Sequence, residues 1–541
     1  MTLQEDLLSR GYFPEGLPPF FTSAGIAEFL KDEGYKDYIT TKGKRFRAAP
    51  YSASKRGLTR RVFSVVHPVT AHDSARFVDV NRKHFEAHFA KSKFSQSAPI
   101  HQTGTGRAVT ISSHAEFEEK RIERLAQYRF IAKTDISRFY HAIYTHSIPW
   151  AFHGKAKSKS TTDVDSKTIF FNKLDLITRN GQDAQTIGLP VGPDASRYVA
   201  ELISTAMDLE FEKRCDVEGY DLVRHVDDIY IGTHSHADAE QALWRYREAM
   251  RPFDLYANES KTRIYSADFR FADAWPSNIS ARLNFALESP PNRKRDRLRA
   301  ALEDIFSETV KSGDDGVLKY TIRLLDNAKL STVDWSAVEP FLKRCAVHFG
   351  HTIDFVTRMV VWQSFVSFSF EQESWAPIFL ETLDRHGRLG NDSEVCWSLY
   401  ACYMLDIKIE QTIAEHIARN CNALSVVALL NCVEKGLVDK TVFDIAYDRI
   451  ALENAKGAFW PVMLEWMCND WSKHQAVKKL LDEQLIEDMG DSGVSIFDED
   501  ALPKVFQGLE QNEFQTVKSA IEKSDGYDDE SAEDDEEDDG L

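Results

Sequence analysis

The sequence lacks any CxxC pair, and its 7 cysteines are an odd number. Neither a disulfide framework nor a zinc module is therefore expected, and the cysteines should be reduced and buried.

The sequence also lacks the roughly 18 to 20 uninterrupted apolar residues that a membrane span needs. Its first ten residues lack the charged-then-apolar pattern of a signal peptide. We expect a cytoplasmic protein with no membrane partner.

Basic residues are missing from positions 524–541, which hold 11 acidic residues. Such a segment cannot bury enough apolar surface to offset its ordering entropy, so a disordered acidic tail is predicted over 521–541.

The chain has a net charge of −19 but also contains a basic region, because residues 42–107 hold 14 Lys and Arg against 3 Asp and Glu. Affinity for a polyanion follows the local field, so this region suits phosphate binding; a solvated basic face is the alternative.

A chain of 541 residues predicts two or more domains. In residues 1–290, β-branched and aromatic runs alternate with amphipathic stretches, which is typical of an α+β or α/β fold. In residues 291–520, apolar residues recur at three-to-four spacing in short segments, such as 316–327 and 423–435. This pattern predicts stacked helical hairpins in a solenoid-like, all-α helical-repeat domain, with a plain helical bundle as the alternative.

The segment RHVDDIYIG at 224–232 is the strongest local signal. Apolar residues on both sides predict two short strands, with Asp227 and Asp228 at the hairpin between them. Adjacent carboxylates between buried strands repel each other unless cations neutralise them. A divalent metal ion is their natural partner.

A third carboxylate lies in IAKTDISRFY at 131–140, where Asp135 follows a short apolar run. If the two strands are neighbours in a sheet, Asp135 meets the Asp227–Asp228 hairpin. The three side chains would then supply hard oxygen ligands for two magnesium ions. Such a pair of ions can activate an attacking hydroxyl and stabilise leaving pyrophosphate, which is phosphoryl-transfer chemistry.

Four ordered segments, KTDISRFY, GLPVGPDASR, RHVDD and NESKT, resemble motifs A, B, C and D of reverse transcriptases. GYFPEGLPPFF at 11–21, the segment from Arg60 and Arg61 to Pro68, and the serine-rich KSKFSQSAP at 91–99 resemble the fingers of prokaryotic members. The resemblance implies an α+β right-hand polymerase, with fingers and an antiparallel palm sheet, over 1–290. A compact polymerase followed by helical repeats is similar to the defence-associated, abortive-infection type.

The resemblance also implies roles for individual residues. Metal ligands would be Asp135, Asp227, Asp228 and the backbone carbonyl of Ile136, holding two Mg²⁺ or Mn²⁺ ions. Lys261 would join the aspartates in catalysis, and His225, at a position where many members have an aromatic residue, would lie at the primer end. The implied nucleotide-binding residues are Tyr140, Phe139, Arg60, Arg61, Gly188, Pro190 and Gly192. For either arginine a structural ion pair is the alternative.

The function implied is that of an RNA-directed DNA polymerase in anti-phage defence. It would use deoxynucleoside triphosphates and an RNA template, with a noncoding RNA among the candidates, to make DNA. Template-independent or protein-primed synthesis by the same site is one alternative. A catalytically inactive nucleic-acid-binding scaffold within a defence complex is another. A second copy of the chain and an accessory defence protein are further candidate partners.

Overall fold

The structure, a computed structural model, describes residues 2–55, 59–104, 106–313, 316–327, 334–366, 370–452 and 455–502. The acidic tail expected at 521–541 lies outside the described residues. Among the residues that are described, no helix has the length and apolar character needed to cross a membrane. The strands are β1 (Ala49–Ser54), β2 (Arg60–Val65), β3 (Ile100–His101), β4 (Val109–Thr110), β5 (Phe130–Thr134), β6 (Asp221–His225), β7 (Asp228–Thr233) and β8 (Arg263–Tyr265).

The helices before residue 291 are α1 (Leu3–Ser9), α2 (Ala24–Asp32), α3 (Pro68–Val80), α4 (Arg82–Phe89), α5 (His114–Leu125), α6 (Phe139–Ala142), α7 (Ser147–His153), α8 (Lys155–Ser158), α9 (Asn172–Asn180), α10 (Asp194–Arg214), α11 (His236–Met250) and α12 (Trp275–Leu287). Those after it, in what we call the helical half, are α13 (Pro291–Ser312), α14 (Gly316–Asn327), α15 (Trp335–His348), α16 (Ile353–Val366), α17 (Ala376–Leu389), α18 (Asp392–Met404), α19 (Gln411–Asn420), α20 (Ala423–Glu434), α21 (Val442–Ile450), α22 (Trp460–Cys468), α23 (His474–Lys478) and α24 (Gln484–Asp491).

A four-stranded sheet lies at the centre of the N-terminal half. Its order is β6-β7-β5-β8, and all neighbouring strands are antiparallel, which confirms the antiparallel sheet predicted from the sequence. Successive side chains of a strand point to opposite faces. Leu222 and Ile231 therefore face the main core, while Val223 and Tyr230 pack against Phe117 of α5. Both faces of the sheet are covered.

The serine-rich segment after α4 covers the outer edge of β6. The Arg224 amide donates to the Phe94 carbonyl at 3.0 Å, and the Gln96 amide donates to the Arg224 carbonyl at 2.8 Å. These bonds satisfy backbone groups that an open sheet edge would leave exposed. The segment is thereby fixed beside the strand that leads into the Asp227–Asp228 hairpin.

The helical half is built in two layers. In one layer α13, α15, α17, α19 and α21 pack in succession, and in the other α14, α16, α18, α20, α22 and α24 do the same. The helical segments predicted at 316–327 and 423–435 correspond to α14 and α20. α13 has 22 residues and the other helices of these layers have 8 to 14, and each buries apolar residues against the next helix in its layer and against the other layer.

The two halves are joined through the β1–β2 hairpin. The Ser52 amide donates to Asp392 Oδ2 at 2.8 Å, and the Ser54 amide donates to Ser393 Oγ at 3.0 Å. The first residues of α18 thus satisfy the outward-pointing amides of β1, whose other edge pairs with β2. Buried apolar residues from both halves belong to one contiguous core, so packing as well as hydrogen bonding connects them.

Replacing Arg60 by Ala tests the ion pair across this junction. Both terminal nitrogens of Arg60 lie 2.8 Å from the oxygens of Glu394, a side chain that is only 2% exposed. Because the variant leaves a buried carboxylate without its cation, we expect the free energy of unfolding at pH 7 to fall by about 1–3 kcal/mol. Denaturant unfolding measures the loss. Arg47→Ala, which removes an exposed pair with Asp183, is the matched control and should cost far less.

Candidate active site

The strand that ends before Asp135 lies next to the strand that begins at Asp228. β5 pairs with β7 so that Thr134 is opposite Ile229. Continuing this register by one residue puts Asp135 opposite Asp228, and facing residues in antiparallel strands have Cβ atoms about 4.5–5.5 Å apart. Asp227 occupies the two-residue turn between β6 and β7. The three carboxylates therefore lie at the same end of the sheet.

The turn that carries Asp227 has a strained backbone. Val226 has a φ of 49°, a left-handed conformation that costs a β-branched residue about 1–3 kcal/mol. The Val226 amide donates to Ser97 Oγ at 2.9 Å, and Arg224 Nη1 donates to the Val226 carbonyl at 3.2 Å. Ser97 and Arg224 thus hold both polar backbone groups of the strained residue.

Arg224 belongs to a buried ionic cluster beneath this turn. Its Nη2 lies 2.9 Å from Glu201 Oε1 and 2.8 Å from Asp208 Oδ2, both on α10. The hydroxyls of Ser95 and Ser97 donate to Glu201 at 2.7 and 3.0 Å. We call Arg224, Glu201, Asp208, Ser95 and Ser97 the buried cluster. It connects the serine-rich segment, α10 and the Asp227–Asp228 hairpin.

The two carboxyl groups of the buried cluster respond differently to the same arginine. Burial acts to raise the pKa of both. At Glu201 the charge of Arg224 and the serine hydroxyls outweigh burial, and the pKa is lowered. At Asp208 burial prevails over Arg224 and the pKa is raised. The charged form of Arg224 is favoured by both partners, which raise its pKa well above the ordinary value despite burial.

Sequence reasoning missed the buried cluster. One signal was available: Arg224 interrupts the otherwise apolar stretch LVRHV at 222–226. A charged side chain in a buried strand needs a buried partner of opposite charge. The partners could not be named, because Glu201 and Asp208 lie on a helix that reads as amphipathic without them.

Lys261 lies against Asp135. Its Nζ is 3.2 Å from Asp135 Oδ2, and the Asn258 amide donates to the Asp135 carbonyl at 2.8 Å. The hydroxyls of Thr134 and Thr262 are 2.8 Å apart. The segment NESKT therefore lies beside Asp135 and the end of β5, and Lys261 brings one positive charge to the Asp135 carboxylate.

A cavity of about 440 Å³, which we call the main cavity, opens beside the aspartates. Several residues predicted from the sequence line it: Asp227, Asp228, Phe139, Tyr140, Arg61, Gly192 and His225. Burial raises the pKa of Tyr140 to about 12. The hydroxyl of Tyr140, which would be protonated at neutral pH even at its ordinary pKa, can donate a hydrogen bond.

Three predicted nucleotide-binding residues lie elsewhere. The Arg60 guanidinium is held by Glu394 in a structural ion pair, the alternative already considered for it. Gly188, whose amide donates to the Ile143 carbonyl at 2.8 Å, has a φ of 99° that favours glycine. Pro190 faces a smaller cavity of about 30 Å³ beside α3 and α9.

Gly192 is required by packing within the protein. It has a φ of 119°, and a Cβ at this position would lie 2.8 Å from Cγ of Pro14. The resemblance to reverse transcriptases implies a nucleotide-binding role for this glycine, and that role stays a prediction. Any larger residue would displace the loop that precedes α10.

His225 is nearly buried at the edge of the main cavity. Its Nε2 is 2.9 Å from the Ser112 carbonyl, and its ring lies 4.9 Å from that of Phe117. Burial lowers its pKa to about 4. The ring is therefore neutral at pH 7 and donates its Nε2 proton to the carbonyl, which fixes its orientation.

The chemistry of the site fits a hard divalent cation. Three carboxylates at one sheet end, two of them lining the main cavity, are the oxygen ligands that magnesium prefers. Across the ranges that the structure describes, no three His, Cys, Asp or Glu side chains are already arranged as a metal site. Lys261 supplies positive charge to Asp135 in this conformation.

Comparison with known proteins identifies the domain that contains this site. Residues 71–285, which include all three aspartates, match the family model for reverse transcriptase (RNA-dependent DNA polymerase). No curated protein matches the chain. A solved structure of telomerase from Candida albicans in complex with the TWJ fragment of telomeric RNA is similar over 65% of this chain and 67% of that chain, with 10% sequence identity and a TM-score of 0.29. The match of residues 71–285 to this family model indicates an enzyme, an RNA-directed DNA polymerase.

Proposed function

We propose that the protein copies RNA into DNA by two-metal nucleotidyl transfer at Asp135, Asp227 and Asp228. The observation that carries the proposal is the pairing of β5 with β7, since it puts Asp135 at the same sheet end as the hairpin whose Asp227 and Asp228 line the main cavity. With the backbone carbonyl of Ile136, they would hold two Mg²⁺ ions, or Mn²⁺ in their place. Bound there, the ions would stabilise charge on the attacking and leaving oxygens.

The remaining residues of the site would bind and orient the substrates. Tyr140, packed beside Phe139, would stack under the sugar and exclude a 2′-hydroxyl, which selects deoxynucleotides. Arg61 would contact the triphosphate, whereas we assign Arg60 to the junction between the halves. Lys261, already against Asp135, would donate a proton to departing pyrophosphate.

Four residues predicted from the resemblance would position other parts of the site rather than bind the substrate through charge. Gly188, Pro190 and Gly192 would set the path of the loop before α10, with Gly192 forming part of the cavity wall. His225, fixed by the Ser112 carbonyl, would flank the primer end from the hairpin. Their effect on synthesis would come from shape and position rather than from charge.

We further propose a division into a fingers and palm domain at 1–290 and a solenoid-like helical-repeat domain at 291–520. The two-layer succession of helices supports the second part. A reverse transcriptase joined to such helices resembles the enzymes of anti-phage defence, and we propose that role here. The helical half would contact RNA, a second copy of the chain or an accessory defence protein.

Sequencing of copurified nucleic acid tests the proposed function. We expect the protein, purified from cells and treated to release bound RNA and DNA, to carry DNA complementary to an associated RNA. The matched sample is the Asp227→Asn, Asp228→Asn variant, which should carry the RNA without the complementary DNA. RNA without DNA in both samples would instead identify an inactive scaffold.

One observation favours a second candidate function, template-independent or protein-primed synthesis. Residues of the helical half line the main cavity together with Asp227 and Asp228, so they take up space that a template strand would need. In that case the released DNA would be random or homopolymeric, or covalently attached to the protein. The same sequencing experiment therefore separates the two functions.

A further inference from the structure

The helical half forms part of the wall of the main cavity. Lys319 of α14, His351, Asp354 of α16 and Trp397 of α18 line the cavity that Asp227 also lines. Its volume of about 440 Å³ falls within the roughly 300–1,000 Å³ of small-molecule sites, which occur preferentially between domains. The cavity is thus a ligand-sized space enclosed by both halves of the chain.

The ammonium group of Lys319 is held in place at this wall by its neighbours. Its Nζ lies 3.1 Å from Asp354 Oδ2 and 5.4 Å from the centre of the Phe355 ring. The side chains of Lys319 and Asp354 are only 20% and 17% exposed. A lysine stem packed in this way loses little further freedom when its ammonium group meets a ligand.

The cavity wall carries cations from both halves of the chain, alongside the carboxylates of Glu15, Glu201, Asp227, Asp228 and Asp354. Lys55, Arg61 and Arg138 of the N-terminal half line it, as does Lys319 of the helical half. Glu201, which also lines it, is already paired with Arg224. Charge-assisted hydrogen bonds from such groups to phosphate oxygens are among the stronger polar contacts in proteins.

We propose that Lys319 is a nucleotide-binding residue that contacts the phosphates of the incoming deoxynucleoside triphosphate. This inference rests on the proposed polymerase function. It makes the helical half a structural part of the substrate site rather than an appendage. Asp354 holds the lysine in place and competes with the phosphates for its ammonium group.

The two partners of the ion pair give opposite predictions. Lys319→Met should raise KM for deoxynucleoside triphosphates about ten-fold with kcat little changed, because a charged hydrogen bond to substrate is lost. Asp354→Asn removes the competing carboxylate, so KM should stay the same or fall. A purely structural ion pair would be broken equally by either change, and equal shifts in KM would overturn the proposal. Lys319→Arg should retain most of the affinity.

Inorganic tripolyphosphate identifies the part of the nucleotide that is bound. The inhibition constant of tripolyphosphate should rise by about the same factor as KM in Lys319→Met; an unchanged constant would overturn the phosphate contact.

Lys343→Met is the matched control, because Lys343 pairs with Glu339 at 3.0 Å and lies 5.3 Å from the Trp375 ring in the same half. A wild-type protein that makes no DNA would refute the proposed function. An active wild type with an unshifted Lys319→Met would refute this inference alone.

Discussion

Replacing Asp227 and Asp228 together by Asn is expected to abolish DNA synthesis, lowering the rate by at least about 10³-fold. Loss of one preorganised electrostatic contact typically costs about 10²–10³ in rate, and loss of a metal site should cost more. The substitutions hardly change side-chain volume, and they remove repulsion between adjacent carboxylates, so the unfolding temperature should not fall. Primer extension and thermal unfolding measured together check both statements.

Asp216→Asn is the matched control for this variant. Asp216 is an exposed carboxylate of the same half that pairs with Arg245 at 2.6 Å, away from the three aspartates. Its loss should leave synthesis unchanged. If the double variant retained activity within ten-fold of the wild type, Asp227 and Asp228 could not be metal ligands of the reaction.

Replacing Arg224 by Met should produce the largest loss of stability in the N-terminal half. The side chain is fully buried, and its removal leaves Glu201 and Asp208 as buried carboxylates without their cation. Breaking a buried ion pair from one side typically costs about 3–5 kcal/mol. Denaturant unfolding at pH 7 measures the change.

A triple variant separates the charge from the packing. Arg224→Met combined with Glu201→Gln and Asp208→Asn removes all three charges, and we expect it to recover a large part of the lost stability, because no unpaired charge remains. If the triple variant were no more stable than Arg224→Met, uncompensated charge would not be the cause. Synthesis should stay impaired in both, since Arg224 also donates to the carbonyl of Val226.

Much of the architecture could be predicted because its signals are local. The alternating strands around Asp227 and Asp228 specified a hairpin, and the strand before Asp135 lies beside it as expected. In the helical half, three-to-four spacing with short polar connections marked individual helices, and α14 coincides with its predicted range of 316–327. Periodicity within one element needs no knowledge of its partners.

The contacts between distant elements could not be predicted in this way. Arg60 resembled a phosphate-binding residue, yet its partner Glu394 lies 334 residues along the chain. The same holds for Lys319, whose place beside the main cavity depends on how α14 packs in the helical half. A charged residue in a sequence shows that a partner is needed but does not show which one, because ion pairs carry no periodic pattern.

The capping of β1 by α18 also bears on how the chain is made. Ser52 and its acceptor Asp392 are 340 residues apart, so the ribosome exposes the hairpin long before the helix that covers it exists. At typical synthesis rates of about 5–20 residues per second this interval is on the order of tens of seconds. During that time the nascent hairpin presents an open strand edge to other chains, and a chaperone that shields it would raise the yield of folded protein.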